Sequence, residues 1–181
     1  WGNPQNYNRG QASDQVLIVP HGINWIPANY PGENNFILFN NVHSGNSISG
    51  SSAVLEFIPP IDENGHYLIE SGEPYGPEIY IWSYEEDIFS PFQSGAFRLP
   101  NGNTLITDCD SAHILEVTNE GIIVWEYIDS ENYVTNIARA QKYALDYFDQ
   151  INNEIPGDIN GDGITNILDI VSLVNLVLSN S

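Results

Sequence analysis

The chain has no methionine, a single cysteine and four basic residues, Arg9, Arg98, Arg139 and Lys142, against 24 acidic ones. Each shortage excludes something. A lone Cys109 allows no internal disulfide and no cysteine-based metal site, and reads as a small buried or half-buried thiol. A formal net charge of -20 repels phosphate backbones and anionic lipid heads, which makes nucleic acid and membrane surfaces poor partners and divalent cations good ones. No apolar run approaches the roughly 18 residues of a membrane span, so no membrane insertion is expected. The start at Trp1 lacks the charged-then-apolar pattern of a signal peptide. With the missing methionine, this predicts a processed or truncated piece whose upstream part held a signal peptide and more of the fold.

Strong acidity also marks disordered chains, but 12% aromatic and 41% hydrophobic residues predict a packed fold. From residue 15 to about 143 the pattern is short apolar runs between turn signals. Strands are expected at 15–19, 23–26, 36–40, 53–58, 67–70, 79–84, 96–99, 104–107, 113–118, 122–127 and roughly 135–143. The turn formers between them include Pro100-Asn101-Gly102-Asn103, Asn119-Glu120-Gly121 and Glu63-Asn64-Gly65.

An internal repeat narrows the all-β choices. HGINWIP (21–27), Asn35 and FILFN (36–40) align with SGAFRLP (94–100), Asn103 and TLITD (104–108). LEF (55–57), Asn64-Gly65 and IWSY (81–84) align with LEV (115–117), Glu120-Gly121 and VWEY (124–127), the first copy carrying an insertion. Each unit reads as four strands ending in Trp-[Ser/Glu]-Tyr, the length of a propeller blade. The expected fold is therefore all-β: a partial β-propeller over residues 1–145, with two readable four-stranded blades and flanking strands. Two blades are too few to close a ring. A polar linker is expected at 146–157 and a separate C-terminal element at 158–181.

That element opens on a twelve-residue oxygen-rich loop running from Asp158 to Asp169. Asp158, Asn160, Asp162, Asn166 and Asp169 fall at positions 1, 3, 5, 9 and 12, Gly163 stands at position 6, and Ile164 supplies a backbone carbonyl at 7. Hard Ca²⁺ takes six to eight oxygen ligands, and this spacing wraps them around one point. A structural Ca²⁺ is the expected cofactor. The following helix carries Ile167, Ile170, Val171, Val174 and Val177 at helical spacing. Loop and helix resemble one repeat of a dockerin type I module, which implies a cohesin-like or surface partner. A complete dockerin has two repeats, so a stabilising cap or attachment tag is an equal reading.

WGNPQNYNRG (1–10), DQVLIVPHGINWIP (14–27), YGPEIYIWSY (75–84), SGAFRLPNGNTLI (94–106), EVTNEGIIVWEY (116–127) and RAQKY (139–143) resemble the C-terminal half of arylsulfotransferase-type propellers. The resemblance implies a six-bladed ring that moves a sulfuryl group from an aryl sulfate to a phenolic acceptor through a sulfohistidine, with no cofactor for catalysis. It implies an extracellular, cell-surface or periplasmic protein. The family's His-Asp doublet falls on His21-Gly22, so His21 is the implied catalytic nucleophile, while Gly22 departs from the pattern. The second copy has Ser94-Gly95 there, and Arg98 in the same repeat is the candidate substrate-binding cation. Each has a plainer reading: His21 as a structural histidine of the funnel, Arg98 as a salt-bridged strand residue. His43, His66 and His113 read as loop, turn and structural residues, Trp82 and Trp125 as packing residues, and Asp108 and Asp110 as a solvated strand end. The competing function is a non-catalytic extracellular binding or scaffold propeller. A third is an accessory of polysaccharide degradation, although no carboxylate pair suited to glycoside hydrolysis stands out.

Overall fold

The computed structural model describes residues 2–45, 50–129, 135–147 and 157–179. The chain divides into two compact units, Trp1–Lys142 and Tyr143–Ser181. The first holds eight strands: β1 (Pro20–Trp25), β2 (Phe36–Gly45), β3 (Gly50–Phe57), β4 (Trp82–Tyr84), β5 (Gly95–Arg98), β6 (Thr104–Asp108), β7 (His113–Val117) and β8 (Ile123–Ile128). They form two four-stranded sheets, ordered β1-β2-β3-β4 and β5-β6-β7-β8, with every neighbouring pair antiparallel. β-Branched and aromatic residues suit the half-buried pleats, and short turns join the strands of the second sheet, whereas residues 58–81 separate β3 from β4. Between β5 and β6, Leu99 N–H donates to Asn103 O, and Gly102, at φ 89°, takes the left-handed turn position.

The repeat in the sequence is a repeat in register. Glu56 stands opposite Trp82 and Val54 opposite Tyr84 in the first sheet; Glu116 stands opposite Trp125 and Ile114 opposite Tyr127 in the second. Side chains alternate across a strand, so each sheet has two chemically distinct faces. One face of the first sheet (Ile37, Phe39, Val54, Tyr84) meets one face of the second (Ala96, Ile106, Leu115, Val117) in a shared core. Burying each of the Ile, Leu, Val and Phe side chains among them contributes about 1.5–3 kcal/mol. The other face of the first sheet (Leu38, Leu55, Phe57) packs with Val16, Leu17 and Tyr80.

Three expected strands do not form. Residues 15–19 are irregular because Ile18 N–H is taken by the Asn40 side chain, not by a strand backbone, and Val19 sits at φ 55°. Residues 67–70 contribute only an isolated bridge, Ile61 to Tyr67, and Leu68 is 62% exposed, so no apolar face anchors them. Residues 135–142 run irregularly along the second sheet: Ile137 N–H bonds to Cys109 O and Ala140 N–H to Thr107 Oγ1, a pairing too broken for a ladder.

In the second unit, helix α1 (Ile167–Ser179) follows the Asp158–Asp169 loop. Its apolar stripe is open, with Ile167 72% and Val177 61% exposed. Among the described residues no helix is long and apolar enough to cross a membrane.

Candidate functional site

His21 lies on β1 where the register of the β1–β2 pair breaks, between His21 and Asn24. A β-bulge of this kind re-aims side chains at a sheet end. The imidazole is half-buried, with Nδ1 2.8 Å from Asn41 Oδ1 and 3.3 Å from Val19 O. Asn41 is fully buried, and its amide nitrogen donates to Ser90 O at 2.7 Å and Gln93 O at 3.0 Å. Those two carbonyls fix which end of the amide faces the ring: the oxygen does. Val19, a β-branched residue, takes φ 55° just before β1, an outlier held in place by this network.

Gly22 follows at φ 62°, and a Cβ built on it would stand 2.9 Å from Gly95 Cα. The two sheets come together here through their first strands, and Asn24 Nδ2 donates to Ala96 O at 2.9 Å. An aspartate at position 22 has no room in this packing. Glycine at position 22 is thus a packing requirement of the neighbouring strands.

Arg98 does not accompany His21. Its side chain is 3% exposed; it donates to Glu56 across the sheets and to Gly102 O at 2.8 Å, and lies over the Trp82 ring at 5.1 Å. Glu56 also accepts from Asn35 at 2.7 Å. The repeat reproduces this arrangement: Glu116 accepts from Asn103 at 2.7 Å, from Asn101 at 3.2 Å and from Lys142. Burial pushes the Glu116 carboxyl up, but hydrogen bonds from Lys142, Asn103 and Asn101 outweigh it and hold the group below its ordinary value. The other two cations are engaged as well: Arg9 donates to Glu70 O and Glu73 O, and Arg139 lies over Phe97 at 4.5 Å.

The remaining candidates separate. His43 faces Glu85 at 3.5 Å, His66 faces Asp62 at 3.4 Å, and His113 faces Glu126 at 3.1 Å. Asp108 is not a solvated strand end: it is 1% exposed and accepts from Ser90 Oγ, Ser111 Oγ and Phe89 N–H. Three donors compensate its burial, and no sequence pattern announces them. Cys109 is fully buried and donates to Gln93 Oε1; burial, then the neighbouring Asp110 charge, pushes its thiol up. An open cleft of about 680 Å³ lies elsewhere, lined by Asp14, Glu70, Glu73, Tyr75 and Glu78 among others. Neither His21 nor Arg98 lines it.

In the C-terminal loop, the Asp158 carboxylate accepts N–H bonds from Gly161, Asp162 and Gly163, which curls the loop around it. Asn160 Oδ1 accepts from Asp162 N–H, Asp162 Oδ1 from Ile164 N–H, and Ile164 O from the Asn166 amide. Asp169, 2% exposed, accepts from Ile159, Asn160 and Asn166, and the Asn166 N–H bond, the largest influence, holds its carboxyl below the ordinary range. Asn166 and Asp169 also cap α1 reciprocally: Asn166 Oδ1 accepts from Leu168 N–H while Asp169 accepts from Asn166 N–H. Among the described residues no three His, Cys, Asp or Glu side chains are gathered as a metal site. The donor set itself is all hard oxygen, the type Ca²⁺ prefers.

Comparison with protein-family models, with curated proteins and with solved structures finds no match for this chain.

Proposed function

We propose that the two sheets are neighbouring blades of an arylsulfotransferase-like propeller and that His21 is its sulfuryl-accepting nucleophile. The observation that carries the reading is the pair of oxygens at His21 Nδ1, Asn41 Oδ1 at 2.8 Å and Val19 O at 3.3 Å. Both are acceptors, so a neutral ring holds its proton on Nδ1 and its lone pair on Nε2. Nε2 attacks the sulfur of an aryl sulfate, the N–S bond forms, and the S–O bond to the departing phenolate breaks. A phenolic acceptor then attacks sulfur, the N–S bond breaks, and the acceptor's proton passes through solvent to the released phenolate. The matching registers and the contact of the first strands support the blade arrangement. Arg98 takes no part in this reading, because Glu56 holds it.

The test is incubation with 4-nitrophenyl sulfate and a phenol, followed by mass spectrometry under alkaline conditions. A sulfuryl adduct on His21 and loss of turnover by orders of magnitude in His21→Ala are expected. Full turnover in His21→Ala would remove the imidazole from the chemistry.

A second reading is a non-catalytic extracellular scaffold, favoured by the engagement of all four cations in contacts within the chain. Sulfuryl oxygens need positive or N–H donors. Absence of both adduct and turnover in the unaltered protein selects this reading.

In both readings the Asp158–Asp169 loop is a dockerin-like calcium repeat, with Asp158, Asn160, Asp162, Ile164, Asn166 and Asp169 as its oxygen donors and a cohesin-like or surface partner. Its support is the oxygen-only donor set at the required spacing. Added Ca²⁺ should raise the melting temperature of the second unit and release binding heat, and Asp158→Ala should abolish both. A titration without heat would overturn the assignment.

A further inference from the structure

The geometry points to Asn41 as the positioning residue of His21, doing from β2 what the Asp of the family's His-Asp doublet has no room to do from position 22. This rests on the sulfuryl-transfer reading for its functional meaning and on geometry alone for the rest. Position 22 is closed in two ways: its φ of 62° disfavours a side chain, and Gly95 Cα lies 2.9 Å from where a Cβ would stand. A side chain that orients the imidazole reaches it instead from the neighbouring strand, beside the Val19 carbonyl at 3.3 Å. It is Asn41, with Oδ1 2.8 Å from Nδ1.

Asn41 is also suited to hold the ring rigidly. It is 0% exposed, and its amide nitrogen is committed to Ser90 O and Gln93 O, so turning the amide would give up both hydrogen bonds and set its oxygen against those carbonyls. Ser52 Oγ donates to Asn41 O at 2.8 Å, which anchors the backbone as well. An amide oxygen differs from a carboxylate in one respect that matters. It selects the tautomer without bringing a negative charge. The titratable groups of the elements packed here stand one hydrogen bond further off: Asp108 receives Ser90 Oγ, and Cys109 donates to Gln93.

The experiment is nitrogen-15 NMR of the ring-labelled intact chain, with and without substitutions at position 41. The unaltered protein should show His21 as the Nδ1–H tautomer when neutral. Asn41→Asp, nearly isosteric, should keep that tautomer and raise the proton affinity of His21 about tenfold. Its acid limb of turnover should move up by the same factor if the enzyme is active. Asn41→Ser, which shortens the reach, should leave a mixture of tautomers. An Nε2–H tautomer in the unaltered protein overturns the assignment, as does an unmoved His21 titration in a folded Asn41→Asp chain. Because the NMR signals need no turnover, an inactive protein with the expected tautomer defeats sulfuryl transfer alone. An active protein with the wrong tautomer defeats the role of Asn41 alone.

Discussion

In the first sheet the Glu56–Trp82 pair is covered from across the sheets: Arg98 reaches Glu56 and lies over the indole, and Trp82 Nε1 donates to Asn119 O at 2.7 Å. In the second sheet the register-equivalent Glu116 takes its cation from the half-exposed Lys142, beside Asn101 and Asn103 of its own β5–β6 turn, and Trp125 is 51% exposed. Tyr84 and Tyr127 differ in the same way, at 3% and 43% exposed. Two sheets with one register thus differ in burial because burial belongs to the neighbour, not to the strand. The first sheet shows what a covered unit looks like, and the second shows the same residues without a full cover.

The largest loss is expected at Arg98. Arg98→Met leaves Glu56 charged, 4% exposed and without its cation, which should cost about 3–5 kcal/mol in chemical denaturation. Replacing Glu56 by Gln together with Arg98 by Met should recover much of that loss. A cost below about 1 kcal/mol for the single change would show that the bridge between sheets is not what joins them.

The glycine pair sharpens the comparison at the next level. Gly22→Ala combines φ 62° with a 2.9 Å approach to backbone and should cost about 1–3 kcal/mol. Gly95→Ala, whose Cβ would stand 3.9 Å from Gly22 Cα, should be neutral or stabilise by up to about 1 kcal/mol. Equal costs at the two positions would mean that the strands part more easily than the packing indicates.

The smallest effect belongs to Lys142. Its side chain is 54% exposed, so Lys142→Met should cost less than about 1 kcal/mol at neutral pH. The folded protein holds the Glu116 carboxyl below its ordinary value of 4.5, so the ionised form is the stabilised one. That contribution is complete above 4.5 and fades as pH falls through the lower folded value. The gap between the parent and Lys142→Met should therefore close as acid is added. A gap that widens in acid contradicts the pairing.

Much of this comparison is legible in the chain itself. LEF with IWSY and LEV with VWEY mark the paired Glu and Trp positions, and the Gly/Asn turns fall between the strands as spaced. What pattern alone does not carry is contact across distance. Glu56 and Arg98 are 42 residues apart, and nothing in either local run pairs them. The site is partly legible for the same reason. His21 stands out by its place in the repeat, whereas Asn41 looks like any strand-end asparagine until the carbonyls of Ser90 and Gln93 orient it. Residues 15–19 and 135–142 have strand-like composition but meet side-chain partners, and composition does not distinguish the two.

All four cations are engaged in contacts within the chain, while the formal charge is -20. The chain consequently meets solution as a polyanion. Its dissolved counterions must supply the compensation, so dilute buffer should loosen the fold and physiological salt should firm it. Crowded among like copies, such a particle keeps its distance.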